Sequence, residues 1–140
     1  MENWVSDMLP NLPTVSVIIC AYTERRWSQL KKSVASVEAQ TSPPIEIIVC
    51  IDHNEGLLRK SEEYFGKRRP AGSIPLFVLA NKYDGHLGSA RNTGAEFASG
   101  EVLVFLDDDA AAAADWLERL VAPYEDKRVG AVGGAPMPVF

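Results

Sequence analysis

The sequence predicts an α/β fold, a doubly wound and mostly parallel sheet with helices between its strands. Three observations carry this. Five apolar runs of strand length recur along the chain, helical patterns lie between them, and polar and acidic residues gather where the runs end. The runs cover residues 15–20, 45–51, 76–80, 102–106 and 129–132, are rich in Val and Ile, and do not alternate with polar residues. Strands buried on both faces of a parallel sheet have this pattern.

The elements follow in order. After the first run, Trp27, Leu30, Val34 and Val37 fall at helical spacing, leaving Lys31, Lys32 and Glu38 for solvent. The turn Ser42-Pro43-Pro44 closes that helix and leads into the second run. Residues 55–65 form a weaker helical pattern ended by Gly66, and the third run follows. In the next helix, over 87–98, Ala90, Gly94, Ala95 and Ala98 are small enough for close packing on a sheet. The fourth run leads through the alanines at 110–114 to a helix over 115–124, striped by Trp116, Leu117, Leu120 and Val121. Such alternation implies right-handed βαβ units. There is no internal repeat and no long linker; residues 1–14 read as an N-terminal extension and 15–140 as one domain.

Composition narrows the function classes. The 140 residues suffice for one buried core, and 46% hydrophobic with 24% charged residues suits a globular domain. A formal net charge of -5 argues against a nucleic-acid partner held by a general basic field. The one basic run, Lys67-Arg68-Arg69, reads as a solvated loop. An anionic ligand would need a metal or a focused cation. Cys20 and Cys50 read as small buried residues in a reducing compartment, although a bond between them stays open because their strands can be neighbours. Acids and prolines stand where a signal peptide would be basic and apolar, and no apolar run reaches the roughly 18 residues of a membrane span. The chain is therefore expected in the cytosol, with any attachment to the cytosolic membrane face left to regions outside it.

Ligands of doubly wound sheets bind beyond the carboxyl ends of the strands. The strongest signal there is GEVLVFLDDD, in which an apolar strand emerges into Asp107, Asp108 and Asp109. Adjacent carboxylates repel unless a cation relieves them. At about 4 Å and an effective dielectric near 20, two unit charges interact by roughly 4 kcal/mol. Oxygen donors completed by substrate phosphates suit Mg²⁺ or Mn²⁺. The plainer alternative is that Asp109 caps a following helix while its neighbours are solvated.

The second signal is DGHLGSARNTGAEFASG. Gly85 and Gly88 open a helix start, which favours anions, and Arg91 can reach a phosphate or tie the helix to the sheet through an acid. Asn92 reads equally as a helix-packing hydrogen bonder. The third is IICAYTE, where Tyr22 leaves the first strand and can stack on a base or pack on the core. Asp52 ends the second strand, as a base or ribose acceptor or a turn residue. No G-x-G-x-x-G follows the first strand, which disfavours a dinucleotide cofactor. His53 and His86 read as incidental.

Together, VSVIICAYTE, IEIIVCIDHN, GSARNTGAEFASGEVLVFLDDD and DWLERLVAPYEDKRVGAVGG resemble the inverting family 2 glycosyltransferases of the Rossmann-like GT-A fold, in order and spacing, from Val15 onward. The resemblance implies a nucleotide-sugar-binding part in which Ala21, Tyr22, Glu24 and Asp52 embrace the nucleoside, with Asp52 toward the base. It implies Gly88 and Arg91 near base and phosphates, Asp107 toward ribose or metal, Asp108 sharing sugar contacts and Asp109 on the metal. Cys20 stands where proline is usual, Thr23 replaces asparagine, and Ile51 and His53 replace an acid and a glycine around Asp52. These departures bear on nucleotide preference and leave the metal site untouched.

The expected reaction moves a sugar from a nucleoside diphosphate to an acceptor hydroxyl on a glycan, lipid or small molecule, with inversion and with Mn²⁺ or Mg²⁺ as cofactor. The family's acceptor half, with its catalytic carboxylate, is expected beyond Phe140, because no acid follows the last apolar run. This chain alone would then be inactive. Its rival is a non-catalytic nucleotide-sugar-binding module. A receiver-like phosphotransferase also sets acids at strand ends, but needs a lysine at a late strand end, and none follows Val129.

Overall fold

A computed structural model describes residues 12–67, 69–85 and 87–137. Most of the N-terminal extension, Arg68, His86 and Phe140 lie outside the described residues. The elements run β1 (Val15–Ala21), α1 (Trp27–Glu38), β2 (Glu46–Ile51), α2 (Glu55–Gly66), β3 (Leu76–Ala80), α3 (Leu87–Phe97), β4 (Val102–Asp107) and α4 (Trp116–Val121). Among the described residues four strands form one sheet in the order β3-β2-β1-β4, every pairing parallel. This is the α/β architecture that the apolar runs imply.

Two elements differ from expectation. Residues 129–132 form no strand: the Val129 N–H donates to the Asp126 carbonyl at 3.0 Å in a turn. With Gly130 inside the run and Gly133 and Gly134 after it, few side chains remain to hold that segment on a sheet. The last helix ends at Val121 and tightens into a 3-10 turn, Ala122–Glu125. Pro123 lacks the N–H that would extend the ladder.

The two faces of the sheet follow from strand alternation. Val17 and Ile19 of β1, Ile47 and Val49 of β2 and Val104 of β4 share one core with Leu30, Val34 and Val37 of α1. Leu57 and Phe65 of α2 and Leu117 and Val121 of α4 complete it. Full burial of each such side chain contributes about 1.5–3 kcal/mol. The other face carries α3, which approaches so closely that a Cβ on Gly94 would lie 2.6 Å from Ile18 Cγ2. The small residues of this helix are what permit that approach.

Helices thus cover both faces, and strand order reverses between β1 and β4. Such a reversal opens a crevice at the carboxyl ends. β3 and β4 are the borders of the sheet. On β4 the pattern alternates, with Val104 buried while Leu103 and Phe105 stay exposed on the α3 side. Among the described residues no helix is long and apolar enough to cross a membrane.

Candidate functional site

The crevice at the reversal is a cavity of about 290 Å³. Its wall brings together Tyr22 and Arg26 from the loop after β1, Arg91 from α3, and Asp107, Asp108 and Asp109 from the end of β4. Cys20 and Phe105 lie beneath them on the same wall. Strand register explains the meeting: Cys20 pairs with Asp107 across β1 and β4, so both strands end level.

The acid turn is fixed from behind. Ala110 N–H donates to the Asp107 carbonyl at 3.1 Å, and Ser33 Oγ of α1 donates to the same oxygen at 3.1 Å. Further along, Ser36 Oγ accepts from Ala112 N–H at 2.9 Å, and Gln40 bridges the Ala113 carbonyl and the Leu117 N–H. Polar residues of α1 therefore hold the alanine run in an irregular path. Six residues separate Asp109 from Trp116, the first residue of α4, and Asp115 takes the cap position. Asp109 is no helix cap, which removes the plainer alternative for it.

The three carboxylates differ sharply in setting. Asp107 has 71% of its side chain exposed and Asp109 is exposed, whereas Asp108 is turned inward at 5% exposure. Burial pushes the Asp108 carboxyl above its usual range; Arg26 opposes this and Asp109 and Asp107 reinforce it. Arg26 Nη1 lies 3.3 Å from Asp108 Oδ1, while Asp108 Oδ2 is buried without a partner. Arg26 in turn is raised, by Asp108 first and Tyr22 next.

Arg91 Nη2 stands 3.7 Å from Asp107 Oδ1, and its guanidinium lies 5.8 Å from the Phe105 ring centre. So loose and exposed an ion pair contributes little to stability and can be exchanged for a ligand's charge. The acid that Arg91 meets is itself one of the candidate ligands. Tyr22 is 54% exposed, and the Arg26 guanidinium sits 5.5 Å from its ring centre.

The remaining sequence-derived residues are not on the cavity wall. Ala21 is buried, and its carbonyl accepts from Asp52 N–H at 2.8 Å. Asp52 Oδ1 accepts from Asn81 Nδ2 at 2.9 Å, at the neighbouring strand end. Glu24 points toward the start of α2, where a Cβ on Gly56 would fall 2.5 Å from its Oε1. Gly88 is exposed, with open space where a Cβ would stand. His53 occupies the left-handed region at φ 47, and its Nε2–H donates to the Tyr83 carbonyl at 2.6 Å.

The sequence places Arg26 and Asn81 in loops at the ligand edge, but none of Arg26, Cys20 and Asn81 is singled out there as a site residue. A basic residue in the loop after β1, in a chain of net negative charge, was the available signal for Arg26. Cys20 is the register partner of Cys50; both are free thiols, and the hydrogen bond to the Cys50 thiol, then burial, push Cys20 upward.

Among the described residues no three His, Cys, Asp or Glu side chains converge as a closed metal cage. Asp107 and Asp109 instead offer hard oxygen donors on an open turn. That donor set fits a divalent cation that takes further oxygens from a ligand.

The chain has known counterparts. The family described as Glycosyl transferase family 2 matches residues 16–140. A glucosyl-dolichyl phosphate glucuronosyltransferase of Haloferax volcanii is 37% identical over 126 residues, which is 89% of this chain and 38% of that protein. Polypeptide N-acetylgalactosaminyltransferase 11 of Xenopus tropicalis is 33% identical over 118 residues, 84% of this chain and 20% of that protein. The crystal structure of GalNAc-T7 with UDP, GalNAc and Mn²⁺ superposes with a TM-score of 0.71 at 34% identity, covering 85% of this chain and 22% of that one. The chain thus spans well under half the length of each.

Proposed function

Because the chain belongs to glycosyl transferase family 2, we propose that its β1–β4 cavity binds a nucleoside-diphosphate sugar and a divalent cation, for transfer of the sugar to an acceptor hydroxyl with inversion. The observation that carries this is the single wall shared by Tyr22, Arg91 and the three acids at the point where strand order reverses. GalNAc-T7, the solved structure with UDP and Mn²⁺, supports a divalent metal of this kind.

In this reading Asp109 and Asp107 hold Mn²⁺ or Mg²⁺, Asp107 also facing the ribose. The cation would neutralise the departing diphosphate. Arg91 gives up its loose contact with Asp107 for a phosphate oxygen, which it can bind through two N–H groups. Tyr22 offers its exposed ring to the base, and Asp52, held by Asn81, accepts from the base edge. Ala21 and Glu24 shape the nucleoside loop, Gly88 leaves room for close approach, and Asp108 borders the sugar. The free thiols of Cys20 and Cys50 suit a reducing, cytosolic setting.

Calorimetry with UDP, GDP and dTDP, with and without Mn²⁺, tests the proposal. Metal-dependent binding of one nucleotide is expected; a folded sample that binds none of them refutes it. A second reading, a binding module without turnover, draws on the cavity acids: in the reading above Asp107 and Asp109 hold the metal, and Asp108 pairs with Arg26. Among the described residues no further carboxylate lines that wall to deprotonate an acceptor. Incubation of this chain with donor sugars and acceptors is accordingly expected to give no transfer.

A further inference from the structure

We infer that Arg26 is a positioning residue that ties the nucleoside-facing loop to the acid-bearing turn, so that nucleotide and metal binding are coupled through it. The inference rests on the donor-site reading above and adds a residue to it.

The geometry is specific. Arg26 ends the 3-10 turn Glu24–Arg26, which Thr23 caps by accepting from Arg25 N–H at 3.2 Å. From there the guanidinium reaches Asp108, 82 positions along the chain, at 3.3 Å. It also lies 5.5 Å from the centre of the Tyr22 ring, within reach of a cation–π contact. One planar group therefore touches the ring offered to the base and the middle acid of the turn.

The middle acid is the one that cannot serve as an open ligand. At 5% exposure Asp108 is an anchor, and its flanking residues Asp107 and Asp109 are displayed because it is turned in. A buried carboxylate without a counter-charge is strongly disfavoured. Arg26 is the cation that compensates it, and Oδ2 remains without a partner even so. Loss of Arg26 would favour rotation of Asp108 toward water, which would carry both neighbours out of place. Arginine suits the task because its rigid fork can donate to a carboxylate while its face lies on an aromatic ring.

Two measurements on the chain test this. The first is free of ligand: melting temperatures of wild type, Arg26→Ala, Asp108→Asn and the double variant. The expected result is non-additive, with Asp108→Asn recovering part of what Arg26→Ala loses. The second is the ratio of nucleotide Kd without and with Mn²⁺, using whichever of UDP, GDP and dTDP binds wild type most tightly. Arg26→Ala is expected to shrink that ratio by about tenfold, equivalent to about 1.4 kcal/mol. Arg26→Lys is expected to restore melting temperature but not the ratio. A lysine that restores both, or a ratio untouched in Arg26→Ala, overturns the inference. Wild type that binds no nucleotide overturns the donor-site reading instead; the melting cycle then decides, with additive shifts refuting the tether.

Discussion

Ser16 Oγ donates to Glu46 Oε2 at 2.6 Å across the two central strands, at the end of the sheet opposite the acid turn. The same carboxylate accepts from Ser99 N–H at 2.6 Å and Ser99 Oγ at 2.9 Å. It thereby anchors the connection from α3 into β4. Burial alone would raise the Glu46 carboxyl, but the hydrogen bonds outweigh it and hold the group below the ordinary glutamate range. Its stabilisation is therefore complete above the unfolded value, roughly 4.3, and is lost as pH falls through the folded one. Glu46→Gln is expected to cost about 1–3 kcal/mol at pH 7. In urea titrations the gap between variant and wild type should narrow below about pH 4; a gap independent of pH would contradict the account.

Gly94→Ala tests the seat of α3. The added methyl would meet Ile18 Cγ2 at 2.6 Å inside the sheet face. Overpacking of this kind costs about 1–3 kcal/mol. Because α3 carries Arg91, nucleotide affinity is expected to fall along with the urea midpoint. Shortening the neighbour, in Gly94→Ala with Ile18→Ala, should recover part of both; unchanged stability in the single variant would show that the helix has slack.

Asp109→Asn and Asp107→Asn separate ligand acids from structural ones. Both side chains are exposed, so melting temperatures should move little. Mn²⁺-dependent nucleotide binding is expected to drop at least tenfold in each, measured by calorimetry, because a neutral amide is a poorer partner for a hard cation. Retention of metal dependence in Asp109→Asn would remove it from the metal site.

Cys20 gives a chemical reporter. Its thiol lies on the cavity wall but is pushed upward by the Cys50 thiol and by burial, so little thiolate exists at neutral pH. Alkylation by iodoacetamide should be slower than for free cysteine, and slower again with Mn²⁺ and a bound nucleotide. Mass spectrometry after timed quenching would read both effects, and labelling indifferent to ligand would place the nucleotide elsewhere.

Much of the fold was legible because apolar runs without alternation specify strands covered on both faces; the central β1 and β2 satisfy that rule, while the border strands β3 and β4 keep partly exposed residues. The run at 129–132 passed the same test and formed no strand, since Gly130 within it and Gly133 and Gly134 after it leave few side chains to pack. At the site, Asp107, Asp109 and Tyr22 were legible as polar residues at strand ends. Arg26 was not, because its partner Asp108 is remote in sequence and only strand register brings the two segments level. His53 is informative in the same way: its φ of 47 is a conformation glycine adopts freely, here held by the bond to the Tyr83 carbonyl.

The strand that carries the acids is also a border of the sheet, supported by hydrogen bonds to β1 alone among the described strands. Border strands open locally at lower free energy than central ones. A ligand seated at the tip of β4 would hold that strand shut, so amide hydrogens over residues 102–107 should exchange with deuterium more slowly once metal and nucleotide are bound. The opposite border, β3, lies beyond β1 and β2 from the acid turn, so its exchange should slow less.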